Sequence, residues 1–204
     1  MPRITPLDPA DSDGTNREIF EQFLKERGNI PNMMRTMGLR AEHLRTMVAH
    51  MRVVMNTGTV SRRLKEMIAV RVSRMNSCEY CLASHTALVR KLGASERQVQ
   101  ALLDISGAGE AAVTGFPDEC LGTAPTSPPA AHSRGPDDSF TPAERAALLF
   151  AEQMTRGSGH VPGATFTALG EFYEPAEVVE IAAVVGLFNY FNRFNNALEI
   201  EITR

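Results

Sequence analysis

Two cysteines three residues apart, followed by a histidine, are the part of this sequence best suited to chemistry. Cys78 and Cys81 stand at positions i and i+3, and His85 lies four residues beyond Cys81. Residues with these separations share one face of an α-helix. The two sulfurs can therefore form a disulfide with little backbone movement, and the imidazole can take the proton of the Cys81 thiol. The spacing predicts thiol–disulfide redox chemistry on a peroxide or a related oxidant.

The predicted start of a helix at Cys78 favours the reactive form of a cysteine. Asn76 and Ser77 interrupt the preceding apolar pattern, and Ser77 is a suitable N-cap for a helix that starts at Cys78. Unpaired N–H groups and the positive end of the helix dipole stabilise an anion in the first turn. This lowers the pKa of a thiol there. A thiolate that attacks an O–O bond becomes a sulfenic acid, with which the second cysteine condenses.

Glu66 is the fourth candidate residue. Its neighbours at i+3, i+4 and i+7 are small or apolar: Ala69, Val70 and Ser73. We therefore expect this carboxylate to pack against another helix, and a turn at 76–77 would bring it to His85, where it could orient the ring or relay its proton. An ordinary ion pair with Arg62 or Arg63 is the alternative.

Helices must position these residues, and the rest of the sequence predicts an all-α bundle. Apolar residues recur at helical spacing, three capping boxes mark helix starts, and no convincing period-2 stretch of β-branched residues occurs. The boxes begin at Thr15, Ser95 and Thr141. About eight helices are predicted, near 15–28, 41–56, 61–75, 78–93, 95–104, 141–156, 163–171 and 176–196, with a short helical turn after Pro31.

One segment departs from the helical pattern. Residues 107–139 are dense in Gly, Pro, Ser, Thr and Ala, which predicts a flexible insert within a single domain spanning 1–204. The insert contains Cys120 and His132, which we expect to be exposed and incidental. Either of them, or Glu66, could instead complete a structural zinc site with the cysteine pair.

Composition and charge exclude several classes of protein. The net charge is −3 and the basic residues are scattered, so no nucleic-acid partner is expected. No apolar run reaches the roughly eighteen residues needed to cross a membrane. The first residues lack the apolar segment of a secretory signal, so a cytoplasmic location is expected. No cofactor is expected beyond a redox-active disulfide between Cys78 and Cys81.

The block from Ser61 to His85 resembles the redox branch of the carboxymuconolactone decarboxylase and alkylhydroperoxidase D-like family. That branch carries a glutamate twelve residues ahead of a CxxC pair and a histidine four residues beyond it, as in this chain. The stretch 189–196, followed by Ile200 and Glu201, is similar to the family's last helix. The resemblance implies an all-α bundle that assembles into a homo-oligomer, a trimer or hexamer, and acts as a thiol-dependent peroxidase (hydroperoxide reductase).

The resemblance also implies roles for the site residues. Cys81 would be the peroxidatic cysteine, Cys78 the more accessible resolving cysteine, His85 the base and Glu66 the head of a proton relay. Tyr80 stands where the best-known peroxidases of the family have a histidine. A phenol can pass a proton but is a poor base near neutral pH, so Tyr80 is a possible relay.

The implied partners are a peroxide or other small oxidant and a thiol or dithiol reductant protein. A general thiol–disulfide oxidoreductase or redox sensor on the same fold is the alternative. A lyase of the decarboxylase type is a further alternative, against which the cysteine pair argues.

Overall fold

The computed structural model describes residues 1–12, 14–105, 139–156 and 159–203. In these ranges the regular structure consists of nine α-helices and one short 3-10 helix, without a β-strand, so the all-α prediction is confirmed. Within the same ranges, no helix combines the length and apolar character needed to cross a membrane. The predicted insert at 107–139, with Cys120 and His132, lies outside the described residues except for Ser139. The single-domain assignment stays a prediction.

The helices lie close to their predicted positions. In chain order they are α1 (Gly14–Arg27), α2 (Asn32–Met37), α3 (Ala41–Asn56), α4 (Arg62–Met75), α5 (Glu79–Lys91), α6 (Glu96–Leu103), α7 (Pro142–Thr155), α8 (Gly163–Gly170) and α9 (Pro175–Leu198). The capping boxes at Ser95 and Thr141 both form, and the Ser61 hydroxyl accepts from the N–H of Leu64. The box predicted at Thr15 does not, because α1 already begins at Gly14 and Thr15 lies inside it.

Helix α4 is the centre of the bundle and packs against α5, α6, α7 and α9. Every residue from Leu64 to Ser73 is buried, including two cations. Lys65 Nζ lies 3.0 Å from a carboxylate oxygen of Glu180 in α9. Arg71 Nη2 lies 2.6 Å from Glu152 in α7. Burial of an unpaired charge is costly, so these ion pairs fix α4 against both helices.

The long helix α9 covers the face of α4 and α5 that carries the candidate site. Its apolar residues Val184, Phe188 and Phe191 are buried in the core. The helix is capped at its C-terminal end by Glu199, which has a left-handed φ of 51°. The segment beyond it returns to α2, where the N–H of Asn32 donates to Thr203 Oγ1 at 2.8 Å. The tail thereby becomes part of the wall beside α2 and α5.

Candidate active site

The turn between α4 and α5 determines where the two cysteines lie. Ser77 has a φ of 50°, in the left-handed region that non-glycine residues seldom occupy. The N–H of Cys78 then donates to the Ser73 carbonyl at 2.9 Å. As a result Cys78 is the N-cap and α5 begins at Glu79, so the prediction that Ser77 caps a helix starting at Cys78 is wrong by one residue. The prediction that a turn at 76–77 returns the chain along α4 is confirmed.

Both cysteine side chains are reduced and buried. Cys78 is 0% exposed and Cys81 is 3% exposed, so the expectation that Cys78 is the more accessible of the two is wrong. The reason is that Cys78, as N-cap, turns inward under α9, while Cys81 lies one turn further along α5.

The two thiols share one proton in the neutral pH range. The Cys81 thiol donates to the Cys78 sulfur and lowers the pKa of Cys78 to about 6, against the opposing effect of burial; the Cys81 backbone N–H adds to the lowering. The same contact, together with burial, raises the pKa of Cys81. The pair therefore carries a single negative charge above about pH 6, centred on Cys78.

Asparagines of α9 surround the sulfurs. Asn195 Nδ2 donates to Cys81 Sγ at 3.3 Å, and Asn192 Nδ2 donates to Ser73 Oγ at 3.0 Å. The Oδ1 atom of Asn195 is buried without a hydrogen-bond partner. These asparagines are not among the predicted site residues. The signal that identifies them is their three-residue spacing within an otherwise apolar, aromatic helix.

Glu66 and His85 meet, as predicted from the turn. Glu66 is fully buried, and its Oε2 lies 2.6 Å from His85 Nδ1. Burial raises the pKa of the Glu66 carboxyl, but His85 and Arg62 outweigh burial and hold that pKa below its usual value. An ionised carboxylate only accepts, so Nδ1 carries a hydrogen in this contact.

Arg62 completes the arrangement from the first turn of α4. Its Nη2 lies 2.7 Å from Glu66 Oε1, although the two groups are poorly aligned and Oε1 has no hydrogen bond. From the sequence, an ion pair with Arg62 is the alternative to a contact between Glu66 and His85. In the structure Glu66 makes both contacts. Within the described part of the chain, the Cys81 thiol and the His85 imidazole form no hydrogen bond with each other. The contacts therefore provide no direct path for the Cys81 proton to His85.

A pocket of about 170 Å³ opens onto Cys81 and His85. Cys78 does not line it. Its wall combines polar and charged side chains with a group of apolar and aromatic ones: Phe23, Met33, Met34, Met51, Met55, Phe188 and Phe191. The pocket thus exposes one sulfur of the pair, and the imidazole beside it, to a small molecule.

The Tyr80 side chain is held in place by hydrogen bonds of its hydroxyl group. Its hydroxyl accepts from the N–H of Met33 at 3.1 Å and lies 3.1 Å from Thr203 Oγ1. Burial raises the pKa of the Tyr80 phenol despite these two bonds. The contacts give Tyr80 the role of joining α5 to α2 and the tail, and its part in a proton relay stays a prediction.

A structural zinc site at the cysteine pair would need further ligands from Glu66, Cys120 or His132. In the described ranges no three His, Cys, Asp or Glu side chains come together as metal ligands would. Two of the candidate ligands, Cys120 and His132, lie outside those ranges.

Part of the amino-acid sequence matches a known protein family. Residues 41–113 match the model of the carboxymuconolactone decarboxylase family. The matched stretch contains Glu66, Cys78, Cys81 and His85, so the resemblance noted for the block from Ser61 to His85 is confirmed. Glu66 on α4 and His85 on α5 are in direct contact. Cys78 is the N-cap of α5, and Cys81 lies in its first turn.

Solved structures share the fold over nearly the whole chain. An uncharacterized peroxidase-related protein from Silicibacter sp. TM1040 is 25% identical, with a TM-score of 0.72 over 98% of this chain and 92% of that one. A peroxidase-related protein from Ralstonia eutropha JMP134, described as an alkylhydroperoxidase AhpD core, is 22% identical, with a TM-score of 0.76 over 99% and 92%. The debrominase Bmp8 is 22% identical, with a TM-score of 0.73 over 98% and 91%. The architecture is therefore the alkylhydroperoxidase D-like helical fold.

Proposed function

We propose that this protein is a thiol-dependent peroxidase that reduces a small hydroperoxide with the Cys78–Cys81 pair. The observation that supports it most strongly is a cysteine pair of which one member, Cys81, lines a pocket together with a histidine held by a buried carboxylate. A thiolate is the nucleophilic form of cysteine, and the pKa of about 6 makes a negative charge available near neutral pH.

Cys81 is the attacking residue because its sulfur faces the pocket. Its proton passes to the Cys78 thiolate, which already accepts a hydrogen bond from it. The Cys81 sulfur then attacks the terminal oxygen of the hydroperoxide, the S–O bond forms and the O–O bond breaks. His85 Nε2 takes the hydroperoxide proton and returns it to the leaving alkoxide, which departs as an alcohol. Cys81 is left as a sulfenate.

Cys78 resolves the sulfenate. Its sulfur attacks Cys81, the S–S bond forms, and the oxygen leaves as water with the Cys78 proton and one proton from solvent. The two sulfurs have together lost two electrons, which the O–O bond has gained. A dithiol reductant returns the pair to its starting state by disulfide exchange. Because both sulfurs are buried, this dithiol must be slim enough to enter the pocket and reach Cys81.

Glu66 and Arg62 act through His85. The ionised carboxylate fixes the tautomer with hydrogen on Nδ1, which keeps Nε2 available for the proton transfer. Phe188 restrains the same ring from the side, with the two ring centres 4.7 Å apart in an edge-to-face contact. The imidazole is therefore held in orientation on two sides.

The proposal is tested by peroxide consumption with a small dithiol such as dithiothreitol as reductant. Cys81→Ser is expected to abolish consumption of cumene hydroperoxide. Without added reductant, Cys78→Ser is expected to consume one equivalent of the hydroperoxide and to stop at the sulfenic acid. Cys120→Ser is the matched control and is expected to leave the rate unchanged. If the double variant of Cys78 and Cys81 consumes peroxide as fast as the unaltered protein, the proposal is wrong.

A second candidate is reductive dehalogenation by the same pair. The debrominase of similar fold has also been solved with bound 2,3,4-tribromopyrrole, and a pocket of about 170 Å³ accommodates a substituted five-membered ring. Two thiols and a carbon–bromine bond would yield a disulfide, a carbon–hydrogen bond and hydrogen bromide. Bromide release from tribromopyrrole, without turnover of any hydroperoxide, would favour this reaction.

The remaining alternatives are separated by the same assays. Disulfide exchange with a thioredoxin-like protein, without peroxide or bromide turnover, would favour a general thiol oxidoreductase. Turnover of a lactone acid by the double cysteine variant would favour the lyase. We also propose a homo-oligomer, a trimer or hexamer, which analytical ultracentrifugation of the full chain would measure.

A further inference from the structure

The pocket beside Cys81 has the size of a small ring. An apolar cavity of about 150 Å³ is enough to hold benzene, and this pocket measures about 170 Å³. Hydrogen peroxide would leave most of that volume unfilled, whereas a long alkyl chain would exceed it. The thioethers of Met33, Met34, Met51 and Met55 adapt readily to an irregular hydrocarbon shape. The wall therefore suits one benzene-sized or branched hydrocarbon group.

The same pocket is lined by three arginines, of which two are neutralised. Arg62 lies against Glu66. Arg52 Nη2 lies 3.2 Å from Glu26. Arg27, at the end of α1, has no carboxylate partner in the described part of the chain; its guanidinium lies over the Phe23 ring, 5.6 Å from the ring centre. One positive charge at the pocket wall is therefore left without a counter-charge.

A guanidinium of this kind is suited to a carboxylate. It presents paired N–H donors that match the two oxygens, and such charge-assisted bonds are stronger than neutral ones. The stack on Phe23 restrains the guanidinium, which reduces the entropy that binding would cost. Arg27 and Cys81 line the same small pocket, so a molecule held by Arg27 has its hydrocarbon part beside the reactive sulfur.

We propose that the pocket selects a compact organic substrate that carries one carboxylate, with the carboxylate bound by Arg27 and the hydrocarbon part among the methionines and phenylalanines. This deepens the proposed function, since it names the substrate as a small carboxylated hydroperoxide. The binding itself requires no chemistry and can be measured separately.

Benzoate is the probe, because it has the required ring and charge but cannot be reduced by thiols. Calorimetric titration of the reduced protein is expected to show benzoate binding more tightly than benzyl alcohol, with no binding of benzylamine. Arg27 is exposed, so solvent screens its charge, and Arg27→Gln is expected to weaken benzoate binding roughly three- to tenfold and to leave benzyl alcohol binding unchanged. Arg45→Gln is the matched control, since Arg45 is paired with Glu42 on α3 and does not line the pocket.

The proposal is overturned if Arg27→Gln binds benzoate as tightly as the unaltered protein, or if benzyl alcohol binds as tightly as benzoate. The peroxidase proposal fails independently, through the cysteine variants. Arg27-dependent benzoate binding in a protein that consumes no hydroperoxide would support the carboxylate site while rejecting the peroxidase. If the protein turns over peroxide but Arg27→Gln does not change benzoate binding, the peroxidase proposal is supported and the carboxylate site is rejected.

Discussion

Replacement of Asn195 by leucine tests whether α9 stabilises the charge on the cysteine pair. Leucine has the same branched arrangement of four side-chain heavy atoms as asparagine but cannot donate to Cys81 Sγ, which the amide now does at 3.3 Å. Asn195 also lowers the pKa of Cys78, which carries the charge of the pair. A hydrogen bond to a charged group contributes about 1.5–3 kcal/mol, and a long bond to sulfur belongs at the lower end. One pKa unit corresponds to about 1.4 kcal/mol. The pKa of the pair is therefore expected to rise by about one unit, from about 6.

The shift is measured by the ultraviolet absorbance of the thiolate as a function of pH. At pH 6 the thiolate fraction is expected to fall about fivefold, whereas at pH 8 it changes by only about a tenth, as a one-unit shift requires. Asn196→Leu is the matched control, since Asn196 is exposed and donates to the Asn76 carbonyl at 2.8 Å and not to sulfur. An unchanged or lowered pKa in a folded Asn195→Leu protein would refute the reasoning, and so would an equal shift in the control.

Three further predictions concern the rest of the site and its support. Glu66→Gln is expected to lower the rate of peroxide turnover about tenfold, since His85 loses the charge that orients it; Glu96→Gln, on an exposed ion pair, should have no effect in the same assay. Peroxide turnover is expected to rise with pH through about 6, as Cys78 with its lowered pKa ionises. Alkylation of the lone Cys81 in Cys78→Ser should rise only at a clearly higher pH, because burial still raises the pKa of that thiol. Arg71→Met is expected to lower the free energy of unfolding by about 3 kcal/mol, because buried Glu152 keeps only the longer contact with Arg156, at 3.4 Å; denaturant titration would measure this, and a loss below about 1 kcal/mol, as for a surface pair, would contradict it.

The contact between Glu66 and His85 was predictable because it depends on local rules. Helical spacing places the two residues on particular faces, and a turn of two residues leaves α5 only one way to return along α4. The all-α class follows from the same periodicity. The start of α5 was misplaced by one residue because the left-handed φ of Ser77 has no strong signal in a serine.

The pocket and the asparagines were not predictable in the same way. Met33 and Met51 reach the site from α2 and α3, far along the chain, and their helical spacing indicated only that they are buried. Asn195 contacts Cys81 across more than a hundred residues of sequence. The burial of Cys78 likewise depends on α9 covering the turn, which the pattern around the cysteines does not contain.

The left-handed turn at Ser77 has a consequence for how this segment tolerates sequence change. The serine hydroxyl makes no cap for α5, and the residue is exposed, so backbone geometry and not side-chain chemistry determines which residues fit this position. Glycine, asparagine and aspartate adopt such a conformation most easily, and β-branched residues least. We therefore expect only a few residue types to be tolerated immediately before the cysteine pair, although no atom of Ser77 takes part in the proposed reaction.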